Sequence, residues 1–423
     1  MKKLAKKIVA AILGYQVRAL YKKNNFKVVA VAGSVGKTST KLAIAEVLKA
    51  GYRVQYQDGN YNDLVSVPLI FFGGRLPRLM NPLAWLGVFW RNQRQLGKTY
   101  PYDMVVVEVG TDMPGQVREF KKYLKADIGV LTAITPEHME FFAGLDDVAE
   151  EELSITGFSS SLIYNKDLCD ERYMTKIQIP KISYGLDSTA DFQTAKVVYK
   201  NDKCDFEVLR SGKPFLKATN DLVSEPQLYS VSAAVAVAAQ MGMPAEDINK
   251  GLRDIHPVSG RMRRLEGVNG SLILDDTYNA SPEAMKAALK ALYRIKGTQK
   301  IAVLGNMNEL GSYSRGAHEE IGKDCDSKQL DLVVTIGPDA NEYLAAAARA
   351  KGCLVESFDS PYDAGEYIRE KIKKGAVILA KGSQNGVFAE ETVKILLSDK
   401  SDAAKLVRQS AEWLKIKQKA FSR

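Results

Sequence analysis

Residues 27–40 read KVVAVAGSVGKTST, and this stretch is the strongest indication of architecture in the sequence. Its β-branched start predicts a buried strand, and the residues after Gly36 predict a helix. A glycine turn between strand and helix points backbone N–H groups at an anion, and the following lysine and hydroxyl suit phosphates and magnesium. Val31 stands where longer versions of this motif begin with glycine, so this is a short variant. The stretch predicts a phosphate-binding loop made of Gly33, Ser34, Val35, Gly36, Lys37, Thr38 and Ser39.

The chain contains two successive regions in which predicted strands alternate with predicted helices. The apolar runs DMVVVEVG, DIGVLTAI and SLIYN follow the loop between helical or polar stretches, which predicts a mostly parallel sheet wrapped by helices. Alternation over residues 182–220 predicts a small antiparallel annex. A second region of alternating strands and helices starts after HPVSGRMRR. We therefore predict an α/β protein with a basic helix over 1–26, a P-loop-type central domain over 27–258 and a Rossmann-like C-terminal domain over 259–423.

The composition is that of an ordinary globular protein. Of 423 residues, 46% are apolar and 26% are charged, which excludes a disordered or collagen-like chain. The net charge of +9 suits an anionic substrate or a membrane surface, and it is modest for a nucleic-acid binder of this length. The four cysteines form no CxxC pair, and no uncharged apolar run is long enough to span a membrane. We expect a reduced, cytoplasmic monomer without a nucleic-acid partner.

Two basic and partly apolar segments each have two interpretations. In residues 2–23, apolar positions repeat at helical spacing among lysines and arginines, which predicts a helix that lies on an anionic membrane or packs on the domain. Residues 71–97 are rich in aromatic residues and arginine. They predict a surface insertion or membrane-touching patch, or else a helix packed over the sheet. Peripheral membrane contact through the N-terminal helix is therefore a prediction, with plain packing as its alternative.

Two further strand ends carry candidate ligands. Glu108 ends the run DMVVVE, where an acid beside a phosphate loop holds magnesium, although it can equally be a satisfied strand-end carboxylate. His138 follows the run GVLTAI and a short turn. A lone histidine is usually structural. As the third strand-end residue after Lys37 and Glu108, however, it becomes a candidate ligand for metal or phosphate.

Six ordered segments resemble motifs of the Mur ligase family, the ATP-dependent ligases of peptidoglycan precursor synthesis. They are GSVGKTS, VVVEVGTDMPGQV, TAITPEHMEFF, LDDTYNASPEAMKAAL, AVLGNMNELG and ILAKGSQ. GNYND at 59–63 is similar to a segment of the branch that adds D-alanyl-D-alanine to UDP-N-acetylmuramoyl-tripeptide. The resemblance implies that reaction, with ATP and Mg²⁺ as cofactors and a nucleotide-sugar peptide and a dipeptide as small-molecule substrates.

The resemblance also implies roles for the residues around the loop. Lys37 and the loop amides would hold the ATP phosphates, Thr38 and Glu108 would hold one magnesium, and Glu108 with His138 would hold a second. Family members carry a carbamylated lysine in the helix after the histidine, and Glu152 stands at that place here. Its carboxylate would replace the carbamate, with a bridging water to make up for its shorter reach. The alternative is a solvated acidic helix face.

In the C-terminal domain the resemblance implies a second group of nucleotide contacts. Tyr278 and Asn279 would hold the adenine and ribose side, with Asp276 close by, and Arg261 would approach the nucleotide from the boundary between the domains. Lys381 and Ser383 match a region near the incoming amine.

The sequence departs from the family pattern before the loop. Family members carry a UDP-binding domain there, whereas only the basic helix precedes the loop here, so we expect this chain to lack that domain. The nucleotide sugar would then be held differently or by another chain, or the acceptor would be another molecule. A lipid-linked muropeptide, a poly-amino acid and a folate chain are alternative acceptors, and a non-catalytic nucleotide-binding switch is the alternative of another class.

Overall fold

The computed structural model of the protein describes residues 2–59, 61–111, 113–136, 139–200 and 203–421. The chain divides into two compact units. The first is built mainly from residues up to 255 and the second from residue 256 onward, with residues 221–226 of the connecting segment belonging to the second. The predicted ligand His138 lies outside the described residues.

One sheet forms the centre of the first unit. Its described strands are β1 (Lys27–Ala32), β2 (Val54–Gln55), β3 (Met104–Glu108), β4 (Ala126–Leu131), β5 (Ser159–Asn165), β6 (Lys181–Gly185), β7 (Phe192–Tyr199), β8 (Cys204–Arg210) and β9 (Lys213–Asn220). They lie in the order β2-β3-β1-β4-β5-β6-β7-β8-β9, with β1 to β7 in parallel pairs and β8 antiparallel to β9. Within the small antiparallel annex predicted over 182–220, β8 and β9 are antiparallel as expected, but β6 pairs in parallel with β5, so these strands extend the central sheet.

Helices cover this sheet. Those before residue 255 are α1 (Lys2–Lys23), α2 (Lys37–Lys49), α3 (Ser66–Phe71), α4 (Pro82–Gln95), α5 (Gln116–Glu119), α6 (Leu145–Leu153), α7 (Glu171–Met174), α8 (Glu225–Gln240) and α9 (Ala245–Arg253). Every residue of β3 is buried, as expected for a parallel strand covered on both faces. The side chain of Asn81 caps α4 by accepting a hydrogen bond from the Ala84 N–H, and Pro82 supplies its first turn.

The second unit has its own sheet. The strands are β10 (Arg263–Gly267), β11 (Ser271–Asp276), β12 (Lys300–Gly305), β13 (Leu332–Ile336), β14 (Val355–Phe358) and β15 (Val377–Lys381), in the order β10-β11-β15-β12-β13-β14. All pairs are parallel except β10 with β11. The helices are α10 (Pro282–Arg294), α11 (Ser314–Asp324), α12 (Ala345–Ala350), α13 (Pro361–Lys371), α14 (Ala389–Leu396) and α15 (Ala411–Ala420). Apolar clusters cover this sheet, and the predicted α/β class with two mostly parallel sheets is confirmed.

The strand order fixes where a ligand can bind in the first unit. β1 lies between β3 and β4, and the chain leaves β1 toward β2 on one side but leaves β4 toward β5 on the other. Ligands of open α/β sheets bind at such a reversal, beyond the carboxyl ends of the strands. The segment directly after β1 at this point is the predicted phosphate loop.

Candidate functional site

Two glycines give the loop its shape. Gly33 has φ +126°, and a Cβ atom there would lie 2.3 Å from Thr132 Oγ1. Gly36 has φ +85° and stands directly before α2. The first N–H groups of a helix have no partners within the helix and carry its positive dipole end, so the start of α2 is suited to a phosphate.

The end of β4 holds the loop in place. Thr132 Oγ1 donates to the carbonyl of Val35 at 2.6 Å. Ser34 Oγ donates to the carbonyl of Ala133 at 3.2 Å and accepts from the Thr135 N–H at 2.8 Å. These bonds fix the loop by contacts to a neighbouring strand, so its backbone is ordered by the protein itself.

Thr38 and Glu108 meet beside the loop. The register that pairs Val31 with Glu108 brings the carboxylate to the end of β1, where it is 2% exposed. Thr38 Oγ1 donates to Glu108 Oε2 at 2.9 Å. The structure therefore brings these two predicted magnesium ligands together.

Two lysines one turn apart on α2 flank this pair. Lys37 Nζ lies over the loop and donates to the carbonyls of Gly33 at 2.5 Å and Ser34 at 3.1 Å. Lys41 is fully buried, with its Nζ 3.4 Å from Glu108 Oε2 and 3.1 Å from the carbonyl of Gly59. The sequence interpretation missed Lys41, although its i, i+4 spacing from Lys37 puts both on one helix face.

Glu152 also reaches the loop. Its side chain is buried, and its Oε2 accepts a hydrogen bond from the Gly33 N–H at 2.6 Å. The neighbouring Glu151, which sequence interpretation missed, accepts from the N–H groups of Gly115 at 2.5 Å and Val117 at 2.7 Å. The predicted solvated acidic face is thus absent at these two positions, because both carboxylates are bound to backbone N–H groups.

The oxygen atoms beside the loop are compatible with magnesium. Mg²⁺ is usually held by one or two carboxylates or hydroxyls together with phosphate oxygens and water. Thr38 Oγ1 and Glu108 Oε2 are oxygen donors of this kind within 2.9 Å of each other. Across the described residues, no cluster of three or more His, Cys, Asp or Glu side chains is arranged to hold a metal ion.

In the second unit, strand register pairs an acid with a lysine. Asp276 and Lys381 are partners across β11 and β15. Lys381 Nζ lies 2.6 Å from Asp276 Oδ2 and also donates to the carbonyl of Asn279 at 3.0 Å. Burial lowers the pKa of Lys381, and the contact with Asp276 opposes that shift. Ser383 Oγ donates to the carbonyl of Ala280 at 3.3 Å, so both residues fix the segment after β11.

Of the other predicted contacts of this unit, Tyr278 and Asn279 lie on the same segment, and Arg261 packs against it from the residues before β10. The guanidinium carbon of Arg261 is 4.3 Å from the ring centre of Tyr278. Asp275, next to Asp276, accepts from the Thr277 hydroxyl at 2.6 Å and from the Gly260 N–H at 3.0 Å. Burial raises the pKa of Asp275 to about 6. The four predicted nucleotide contacts thus surround one turn after β11.

A buried ion network behind this turn escaped the sequence interpretation. Arg408 donates to the carbonyls of Thr277 at 2.5 Å and Tyr278 at 2.9 Å, and pairs with Glu390 at 2.7 Å. Lys417, which is fully buried, lies 2.8 Å from Glu390 Oε1 and 2.6 Å from Glu391 Oε1. Glu390 and Glu391 lie in α14 and Lys417 lies in α15, whereas Arg408 lies in the segment between these helices, so no local sequence pattern could have revealed the network.

The sequence matches family models and curated relatives of known function. The model of the Mur ligase middle domain matches residues 92–238, and that of the Mur ligase glutamate ligase domain matches residues 260–384. The UDP-N-acetylmuramoyl-tripeptide–D-alanyl-D-alanine ligase of Bacillus subtilis is 28% identical over 384 residues, which are 88% of this chain and 76% of the relative. That of Escherichia coli is 25% identical over 379 residues, 88% of this chain and 76% of the relative. The chain thus spans about three quarters of the length of these relatives.

A solved structure leads to the same family. The MurF ligase of Thermotoga maritima in complex with ADP has a TM-score of 0.76 and 25% identity, with 91% of this chain and 83% of that chain covered. Fold and site define a nucleotide-binding α/β ligase with a phosphate loop in its first unit. The chain belongs to the Mur ligase family, whose members are ATP-dependent ligases. The predicted family, enzyme class and ATP binding are confirmed.

Proposed function

We propose that this chain joins D-alanyl-D-alanine to UDP-N-acetylmuramoyl-tripeptide at the expense of ATP, as its curated relatives are named for doing. The observation that carries the proposal is the placement of Lys37 and the Thr38–Glu108 pair on a preordered phosphate loop in a chain of this family. An intact loop with these residues favours catalysis over a non-catalytic nucleotide switch.

The proposed reaction has two steps. A substrate carboxylate oxygen attacks the γ-phosphorus of ATP, the bond to the bridging oxygen breaks, and ADP leaves, so the carboxylate becomes an acyl phosphate. The amine of the dipeptide then attacks the acyl carbon, loses a proton, and the tetrahedral intermediate collapses to the amide and inorganic phosphate. Negative charge grows on oxygens in both steps, and the Lys37 ammonium and the first turn of α2 are the groups that would stabilise it.

We assign the metal ligands in the same way. Thr38 and Glu108 would hold Mg²⁺, and His138 and Glu152 are proposed as further ligands from the family resemblance. The ion supplies neutralising charge to the transferred phosphoryl group. The Gly33 N–H bond to Glu152 gives that carboxylate a second proposed task, which is to hold the loop backbone.

The base and ribose of the nucleotide are assigned to the second unit. The stacked pair of Arg261 and Tyr278 would contact the base, and Asp276 and Asn279 would lie on the ribose side. Lys381 is proposed as a positioning residue, because its ammonium is buried against Asp276 and the Asn279 carbonyl.

An assay of phosphate release tests the function. Purified protein is given ATP, Mg²⁺, UDP-N-acetylmuramoyl-tripeptide and D-alanyl-D-alanine. We expect phosphate release that requires both the acceptor and the amine, and a product of the summed mass less water. If phosphate release requires a lipid-linked muropeptide, a glutamate chain or a folate instead, that molecule is the acceptor. Phosphate release that needs no acceptor would contradict ligase activity.

Two properties of the whole protein are proposed alongside. No described helix combines the length and hydrophobicity of a bilayer-spanning segment. We propose that the protein acts in the cytoplasm as a monomer. Sedimentation velocity at micromolar concentration should give one species near the chain mass of 46.6 kDa.

A further inference from the structure

Helices α1 and α4 form one continuous part of the first unit. Gln16 Nε2 donates to the carbonyl of Phe89 at 2.9 Å, and Lys23 Nζ donates to the carbonyl of Leu96 at 3.0 Å. Because the two contacts have the same sequence separation, the helices run side by side in the same direction. Their facing sides share an apolar cluster that includes Leu13 and Trp85. We call residues 4–23 of α1 and residues 73–98 the α1–α4 surface.

The outer side of this surface is apolar. Nine of the fifteen exposed large apolar side chains among the described residues lie on it: Leu4, Ile8, Ile12, Tyr15, Leu76, Met80, Leu83, Leu86 and Trp90. Leu83 is 78% exposed, and Trp90 is 65% exposed. Single exposed apolar residues are normal in a globular protein, but a concentration of this kind marks an interaction surface.

The same segments are strongly basic. Residues 4–23 and 73–98 contain ten lysines and arginines and no aspartate or glutamate, in a chain with 59 basic and 50 acidic residues. Arg75, Arg78 and Arg94 are exposed on the surface, and Arg94 lies 5.6 Å from the ring of Trp90. Buried atoms Nε and Nη2 of Arg91 have no hydrogen-bond partner within the described part of the chain. The surface therefore has positive charge that its own segments do not neutralise.

We propose that the α1–α4 surface binds the face of an anionic phospholipid bilayer. Its leucines and Trp90 would enter the headgroup region, while its arginines and lysines contact lipid phosphates. Binding is peripheral, since no described helix can span a bilayer. A second copy of the chain is the weaker candidate because two surfaces with the same positive charge repel each other. The inference stands apart from the proposed ligase reaction, since no residue of the nucleotide sites lies on this surface.

Vesicle sedimentation tests the proposal. The full chain is mixed with vesicles of phosphatidylcholine alone, or of phosphatidylcholine with phosphatidylglycerol, at low and high salt. We expect binding only to the anionic vesicles and weakening with salt. In R75E/R78E, the vesicle-binding constant should fall about fivefold or more for each arginine changed. Each basic residue near an anionic membrane contributes about 1 kcal/mol, which is about a fivefold change in the binding constant. In L83S/W90S, binding should also fall while the salt dependence remains.

Matched controls separate this surface from general charge and exposure. R369E/K371E changes the net charge of the second unit equally, and L354S removes an exposed leucine there. Both should bind anionic vesicles like the parent, and every variant should keep its ATP-dependent phosphate release. The proposal fails if the parent does not bind anionic vesicles, if the controls lose as much as the surface variants, or if sedimentation velocity shows a dimer that L83S/W90S dissociates.

Discussion

The two proposed nucleotide-binding regions differ in the main partners of their charged side chains. At the phosphate loop, Lys37 donates to the loop carbonyls and Glu152 accepts from the Gly33 N–H, beside the buried contact of Lys41 with Glu108. In the second unit, close ion pairs dominate, such as Lys381 with Asp276 and Lys417 with Glu391, although Lys381 also donates to a carbonyl of the turn. We therefore expect the loop lysine to act on a bound phosphate and the ion pairs of the second unit to hold the structure around the turn.

This difference predicts different consequences of mutation. Lys37 is only half-buried, so water can reach the loop carbonyls when its side chain is removed. Removing one partner of a buried ion pair leaves the other uncompensated, which is strongly destabilising. Variants of the first region should therefore lose activity before stability, and variants behind the second turn should lose stability first.

The largest expected effect is that of Lys37→Ala. Ligation should fall by about 10²–10³-fold, as when one preorganised group is removed from a developing oxyanion. The thermal midpoint should stay near that of the parent. Lys49→Ala, at the exposed end of the same helix, is the matched control and should retain full turnover. Equal activity in the two variants would show that Lys37 does not take part in the reaction.

Lys417→Met should have the next largest effect, and on stability. The substitution leaves Glu390 and Glu391 buried without the ammonium, so the free energy of unfolding should fall by about 3–5 kcal/mol. Urea unfolding followed by circular dichroism measures it. Lys415→Met changes an exposed lysine of the same helix and should cost little. A Lys417 variant as stable as the Lys415 variant would show that the network contributes nothing.

The same contrast explains what could be predicted from sequence. The phosphate loop is local: a strand, a glycine turn and a helix follow one another within residues 27–40, so its contacts could be inferred. Glu108 could be inferred because a strand-end acid beside such a loop is a familiar arrangement. The Arg408 network joins positions over 100 residues apart, and only the fold makes them neighbours. The sheet-extending role of residues 182–220 was missed for the same reason, since strand pairing is not local.

A third, smaller effect should come from Arg408→Lys. Lysine cannot keep the forked contacts to Glu390 and to the carbonyls of Thr277 and Tyr278, so the turn that carries Tyr278 should loosen. We expect KM for ATP to rise about tenfold, the equivalent of one charge-assisted hydrogen bond, with kcat changed much less. Steady-state kinetics at saturating acceptor measures both. A fall in kcat at unchanged KM would contradict a positioning role.

The smallest expected effect is that of bicarbonate on turnover. Glu152 already carries a carboxylate where family members are expected to form a lysine carbamate, so no carbon dioxide has to be captured. Turnover in degassed buffer should equal turnover with added bicarbonate. A several-fold stimulation by bicarbonate would mean that a lysine elsewhere carries a carbamate and that Glu152 serves only the loop.

The most direct test of the account follows one oxygen atom. The acceptor peptide is labelled with ¹⁸O in its reacting carboxylate, and the inorganic phosphate released during ligation is analysed by mass spectrometry. Transfer of the phosphoryl group to the carboxylate predicts one ¹⁸O atom in each phosphate formed from a doubly labelled carboxylate. Unlabelled phosphate, formed at the rate of product, would contradict activation through an acyl phosphate at this loop.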